Sequence, residues 1–275
     1  MSSARPLDAA AKPLGVIAGA GRLPLLLVQE MRDVRPLVVV SVASQPDAAL
    51  SEAAHAFHRI GLGRIHRILQ AFEKSGASEI VLLGSVRKEV VLQPARLDWL
   101  ALQILARTRT RGDQALLRAI ADEFGRRGFA VADQRVYLRP LLAEQGVLTR
   151  RSPTRAQLDE AAVALDLARQ VAGLDIGQTV VMRGGIPLSV EAMEGTDAAI
   201  RRGGALGGPG AIVAKAARVE HDFRFDVPTV GLDTLETLRE IRAAVLALEA
   251  QRTFLLDRDA FLEGADDAEI AVVAL

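Results

Sequence analysis

Gly15-Val16-Ile17-Ala18-Gly19-Ala20-Gly21-Arg22-Leu23-Pro24 decides how the rest of the chain is read. The apolar run Leu14–Ala18 stops at a glycine-rich turn and passes into an apolar helical stretch from Leu23 to about Met31. That order, strand then turn then helix, opens an α/β domain. A turn of this kind lets backbone N–H groups approach an anion, with help from the helix dipole. A dinucleotide-binding loop wants a third glycine where Pro24 stands, so that fingerprint is broken. Proline near a helix start suits the first turn. The stretch reads equally as a phosphate cradle at Gly19, Ala20 and Gly21 or as a tight structural turn.

Outward from this start the pattern repeats. Arg35–Val42 is rich in valine and reads as a buried strand. Residues 64–74 read as a helix, and Glu79–Leu83 as a strand closed by Gly84. Helical patterns follow near 94–107 and 112–127, then a short strand at Phe129–Ala132. Strands separated by helices imply βαβ units in a mostly parallel, Rossmann-like sheet.

The character changes at 139–155, where Pro140, Gly146 and Pro153 stand among charges. The expected organisation is a tail over 1–12, an N-terminal α/β domain over 13–138, a linker over 139–155 and a C-terminal mixed-sheet α/β domain over 156–275. Thr154 with Gln157 forms a capping-box pattern for an alanine-rich helix to about Val171. Gln178–Arg183, Gly184-Gly185 and Ile186–Ala192 read as a hairpin. Beyond it come a glycine-rich loop (Gly203 to Gly210), a strand at 211–214, Val227–Gly231, a helix over 233–249 and strands near 253–256 and 270–274.

Composition excludes several chemistries. The 275 residues contain no Cys and only four His, which removes disulfides and thiolate sites and leaves little for a histidine-built metal centre. Lys and Arg number 34 and so do Asp and Glu; with 4% aromatic residues this speaks against a nucleic-acid binder. The zero hides an asymmetry. Residues 96–155 carry about 12 Arg against 6 acids, and residues 220–275 about 5 Arg against 13 acids. The apolar run Leu23–Val28 is too short to span a membrane, so a cytoplasmic protein is expected.

Two C-terminal stretches carry candidate chemistry. In Glu191-Ala-Met-Glu194-Gly195-Thr196-Asp197, Thr196 or Asp197 can cap a short helix, or the acids can hold a cation; the spacing is not that of an EF-hand. In Asp222-Phe223-Arg224-Phe225-Asp226-Val227-Pro228, charged and apolar residues alternate. An extended chain would put Asp222, Arg224 and Asp226 on one side, suited to Mg²⁺ or water beside a phosphate held by arginine. Lys215 stands just upstream. Without sulfur ligands, any cation used here should be a hard one held by oxygen.

These stretches, with Asp175-Ile-Gly-Gln178 and the opening glycine turn, resemble the UDP-2,3-diacylglucosamine pyrophosphatases of lipid A biosynthesis. The resemblance is to the LpxI type, unrelated to the calcineurin-like enzymes, and runs from about Gly15 to Leu275 in the same order. It implies two domains with a lipid-linked UDP-sugar bound in a groove between them. It also implies Mg²⁺-dependent hydrolysis to 2,3-diacylglucosamine 1-phosphate (lipid X) and UMP. By motif, Asp226, Asp222 and Arg224 are the catalytic candidates. Gly19, Ala20, Gly21, Thr196, Asp197 and Lys215 are the substrate-binding candidates, and Asp226, Asp222 and Glu191 the metal ligands. Family members often have Gln where His221 stands and a second Asp where Gln114 stands. No nucleic-acid partner is implied, while contact with the inner-membrane surface and homo-oligomers are compatible with the reading. Two rivals share the opening turn: an NAD(P)-dependent oxidoreductase, and a carrier that binds the nucleotide or lipid without cleaving it.

Overall fold

The structure, a computed structural model, describes residues 11–85, 97–108 and 113–275, with backbone alone at 113 and 114. Most of the expected tail, the start of the helix placed near 94, and Gly112 with the side chains of Asp113 and Gln114 lie outside the described residues. The chain divides into two compact units. The first runs to Leu138 and regains Asp222–Asp226; the second holds Arg139–His221 and Val227–Leu275.

Unit 1 contains β1 (Leu14–Ala18), α1 (Leu23–Met31), β2 (Leu37–Ser41), α2 (Ala48–Ala53), β3 (Ala56–Arg59), α3 (Ile65–Ser75) and β4 (Glu79–Leu83). It continues with α4 (Trp99–Arg107), α5 (Asp113–Arg126), β5 (Ala130–Val131) and α6 (Gln134–Tyr137). All its strand pairs are parallel, in the order β3-β2-β1-β4-β5. This is the doubly wound order, whose switch point lies between β1 and β4. The sequence pattern missed α2 and β3, because Ala56–Arg59 pairs at the edge with half-exposed side chains rather than as an apolar run. β1 and β2 are buried along their whole length and, but for Ser41, carry no polar side chain, as strands covered on both faces tend to. Ile65, Ile68, Leu69 and Phe72 of α3 fall at helical spacing and pack against Val38, Val40 and Ile80.

Unit 2 contains β6 (Gly146–Val147), α7 (Arg155–Gly173), β7 (Thr179–Arg183), β8 (Ile186–Val190), α8 (Thr196–Gly207), β9 (Ile212–Lys215) and β10 (Thr229–Val230). Then come α9 (Leu232–Glu240), β11 (Val245–Leu248), β12 (Phe254–Leu255), α10 (Arg258–Asp267) and β13 (Ala271–Ala274). The main sheet runs β6-β13-β11-β9-β7-β8, parallel from β13 to β9 and antiparallel at both flanks. Its residues alternate between two cores. Val181, Val213, Leu246 and Val272 face one cluster, while Val180, Ile212, Ala247 and Val273 join the alanine stripe of α7. The capping box of Thr154 and Gln157 is formed at the start of α7, a feature that typically contributes about 1 kcal/mol.

Two sequence expectations give way to tertiary packing. The glycine-rich stretch at 203–210 is not all loop: Gly203 and Gly204 lie inside α8. A Cβ at 203 would stand 2.5 Å from Ser189 Oγ, and one at 204 would stand 2.2 Å from Ile241 Cγ2. Close packing, rather than a turn, requires them. The helix expected over 233–249 ends at Glu240, and its second half is the strand β11. Arg242 breaks it at φ 52, and burial between β9 and β13 overrides the helix propensity of Ala and Leu.

Candidate active site

At the end of β1 the backbone spends its donors internally. Gly19 N donates to Leu83 O at 2.8 Å, Ala20 N to Ser85 O at 2.8 Å, and Ser85 N returns to Ala20 O at 2.8 Å. A Cβ on Gly19 would stand 2.4 Å from Ser85 O, so the glycine is required by two backbones in contact. The two strands flanking the switch point are thus stitched together by the Ala20–Ser85 bridge, where a dinucleotide fold keeps a crevice. What the turn still offers a ligand is Gly21, at φ 104, and the start of α1, which among the described residues has no side-chain cap.

In unit 2, three separate motif stretches converge. Lys215 ends β9 between Thr179 and Leu248 on the neighbouring strands and is only 6% exposed. Its Nζ donates to Thr196 Oγ1 at 2.6 Å. The Thr196 hydroxyl donates to Glu191 Oε1 at 2.9 Å, and the backbone N of Gln178 donates to Glu191 Oε2 at 3.2 Å. An ammonium can only donate, so Thr196 must accept from it and turn its own proton toward Glu191. Gly177 closes the arrangement: a Cβ there would lie 2.2 Å from the Glu191 carbonyl oxygen. Burying an ammonium is costly without partners of this kind.

The cap expected from Thr196 or Asp197 is provided otherwise. Gly195 is the N-cap at φ 84 and supplies no side-chain bond, while Thr196 and Asp197 sit in the first turn of a full helix. Asp197 Oδ1 accepts from Thr234 Oγ1 at 3.3 Å, and Glu194 pairs with Arg202. The acids of this stretch therefore face different partners rather than one shared point.

The 222–226 segment is a turn, not the extended strand that alternation suggested, and Phe225 N donates to Asp222 O at 3.2 Å. Arg224 folds back on Asp222, with Nε to Oδ1 at 2.9 Å and Nη2 to Oδ2 at 2.8 Å. Arg118 of α5 stands 3.8 Å from Asp222 Oδ2. Hydrogen bonding from Arg224 holds the Asp222 carboxyl below the usual carboxylate range. Phe223 is buried beneath Arg135, whose guanidinium lies 3.6 Å from the ring centroid. Burial works against ionised Asp133, yet bonds from Arg135 outweigh it and keep that carboxyl low. Gln134 N donates to Phe223 O at 3.1 Å. Asp226, at the end of this anchored turn, is exposed. Arg118, Gln134 and Arg135 support the turn from helices that carry no motif, so no sequence signal marks them.

Among the described residues no three carboxylate or imidazole groups gather into a cation cage. Asp222 and Glu191 each have both oxygens engaged by internal donors. They do not fit a preformed Mg²⁺ site. Asp226, by its exposure, fits the other habit of Mg²⁺, which takes one or two carboxylates together with substrate phosphates and keeps waters. Among the described residues no helix is long and apolar enough to cross a membrane.

Fold and site define a two-unit α/β protein with a buried lysine relay at the carboxyl end of a parallel strand. The LpxI N-terminal domain model matches residues 13–141 and the LpxI C-terminal domain model matches 144–273. The chain belongs to the LpxI family, which bears out the resemblance read from its motifs. It is 32% identical over 277 residues to the UDP-2,3-diacylglucosamine pyrophosphatase LpxI of Caulobacter vibrioides, covering 96% of this chain and 98% of that protein. Solved structures are similar only in part. The N5-carboxyaminoimidazole synthetase of Staphylococcus aureus complexed with ADP is 14% identical with a TM-score of 0.25, covering 65% of this chain and 38% of that one. The N5-carboxyaminoimidazole ribonucleotide synthetase of Thermotoga maritima is 13% identical with a TM-score of 0.25, covering 67% and 42%. Likeness at that level carries nothing about chemistry.

Proposed function

We propose that this chain hydrolyses the diphosphate of UDP-2,3-diacylglucosamine to lipid X and UMP in lipid A biosynthesis, with Mg²⁺. The observation that carries the reading is the similarity to the Caulobacter vibrioides enzyme across both domains. The geometry supports it. A diphosphate needs positive charge where electrons accumulate on phosphoryl oxygens, and a buried, oriented ammonium such as that of Lys215 supplies it at low reorganisation cost. Thr196 and Asp197, at the start of α8, are read as further substrate contacts, with Gly21 and the uncapped start of α1.

Asp226 is read as the group that receives the proton of the attacking water. Water adds across the P–O–P bridge, so one phosphate gains the hydroxyl and the other leaves with the bridging oxygen. Asp222 and Arg224 act by holding the turn that carries Asp226. Mg²⁺ would be held by Asp226 and the substrate's own phosphates, where it supplies charge neutralisation. The work is expected in the cytoplasm, with contact at the inner-membrane surface where a lipid-linked UDP-sugar is met.

The Ala20–Ser85 stitch weighs against the oxidoreductase reading, and the absence of a fluorescence change on titrating NADH would check it. Incubation with UDP-2,3-diacylglucosamine, with and without Mg²⁺, followed by mass spectrometry of UMP and lipid X, tests the proposal. A carrier would bind the lipid-linked nucleotide and leave it intact.

A further inference from the structure

We propose that Glu191 is a positioning residue for Lys215, acting through the Thr196 hydroxyl, rather than a cation ligand. The inference rests on the reading above for its kinetic arm alone. Lysine has a long, flexible side chain, and its ammonium rotates freely unless an acceptor fixes it. One acceptor here is Thr196 Oγ1 at 2.6 Å. A hydroxyl serves as an acceptor in a fixed direction only when its own proton is committed elsewhere, and the Glu191 carboxylate at 2.9 Å commits it. Glu191 is in turn held by the amide of Gln178 at 3.2 Å and by its own N–H to Thr179 O at 2.8 Å. Gly177 allows this close approach, since any side chain there would meet the Glu191 backbone.

The arrangement joins Gln178, Glu191, Thr196 and Lys215 although they lie on different elements. Gln178 precedes β7, Glu191 follows β8, Thr196 opens α8 and Lys215 ends β9. Each link is polar, and a chain of polarised hydrogen bonds ending on a carboxylate strengthens its members. Support of this kind fixes an orienting group within a fraction of an ångström.

The test compares full-length wild type with Thr196→Ser, Thr196→Val and Glu191→Gln. The first arm needs no substrate. The lysines are Lys12, Lys74, Lys88 and Lys215, so ¹⁵N-lysine labelling gives few ammonium signals, and Lys215→Arg assigns the relevant one. Proton exchange at the Lys215 ammonium should quicken at least tenfold in Thr196→Val and Glu191→Gln, and stay within threefold of wild type in Thr196→Ser. Unchanged exchange in Thr196→Val overturns the relay. Thermal unfolding of each variant, with Thr196→Ser as the conservative reference, separates the relay from loss of fold.

The second arm uses UDP-2,3-diacylglucosamine and titrated Mg²⁺. Glu191→Gln should lose at least tenfold in kcat with KM within about threefold and an unmoved Mg²⁺ midpoint; Thr196→Val should lose at least as much in kcat, and Thr196→Ser, which restores the hydroxyl, should recover most of that loss. A Mg²⁺ midpoint raised tenfold or more in Glu191→Gln, with kcat restored at high Mg²⁺, makes Glu191 a cation ligand and overturns the proposal. Failure of the wild type to cleave this substrate, with the exchange pattern intact, overturns the proposed function and leaves the relay standing.

Discussion

The Lys215 ammonium stands 2.6 Å from the Thr196 hydroxyl, a contact between the end of one strand and the first turn of a helix that precedes it in the chain. The pair joins a buried cation to a chain of donors that ends on Glu191. Replacing Lys215 with Met keeps much of the side-chain volume and removes the charge. Turnover should fall by about 100-fold or more, as when a preorganised donor is lost from a reacting phosphate. Initial rates of UMP release check this, with circular dichroism showing that the fold remains.

Asp226 is exposed, and Asp226→Asn keeps its size, so the fold should remain and the melting temperature should move by only a few degrees. Its effect belongs to the chemistry. The expected loss in kcat is about 10²–10⁴-fold, the range for removing a general acid or base. A variant that turns over within threefold of wild type contradicts the role given to Asp226.

The Asp222–Arg224 pair makes stability sensitive to acid. The folded-state pKa of Asp222 lies below its unfolded value, with the hydrogen bonds from Arg224 as the leading cause. Its contribution is therefore present above the ordinary aspartate value of about 3.9 and is lost as pH falls through the lowered folded value. Arg224 is partly exposed, which limits the contribution at neutral pH to about 1 kcal/mol. Denaturant melts from neutral pH to about pH 3 should show a shallower loss on acidification for Asp222→Asn than for wild type.

Two glycines inside helices should respond oppositely to alanine. Gly204→Ala sets a Cβ 2.2 Å from Ile241 Cγ2, an overpacking that typically costs about 1–3 kcal/mol. Among the described residues nothing lies within 4 Å of a Cβ built on Gly125, in α5. Gly125→Ala should stabilise by about 0.4–1 kcal/mol through the unfolded chain. Urea melts of both variants, read against wild type, decide the signs.

Much of unit 1 was legible because its strands are buried on both faces and read as plain apolar runs. Leu14–Ala18 and Glu79–Leu83 emerge at the expected bounds. The misreadings have one physical cause, which is that tertiary contacts override local preference. Gly203 and Gly204 look like a loop until the neighbours that exclude a side chain are known. Ala243–Glu249 looks helical until burial in a parallel sheet is known. The Asp222–Asp226 alternation looks extended until Arg224 is seen to fold onto Asp222. The site was legible as motif residues but not as a relay, since the link from Lys215 to Thr196 exists only once β9 and α8 are packed. The charge asymmetry also changes meaning in space. Arg150 and Arg151 of the basic stretch pair with Asp266 and Glu269 of the acidic one, so part of that imbalance is cancelled within unit 2.

The most direct measurement is a time course of full-length protein with UDP-2,3-diacylglucosamine and Mg²⁺, followed by mass spectrometry. UMP and lipid X should rise in equal amounts and depend on Mg²⁺, with the Asp226→Asn protein nearly inactive. Substrate that stays intact while bound, with or without Mg²⁺, would contradict it.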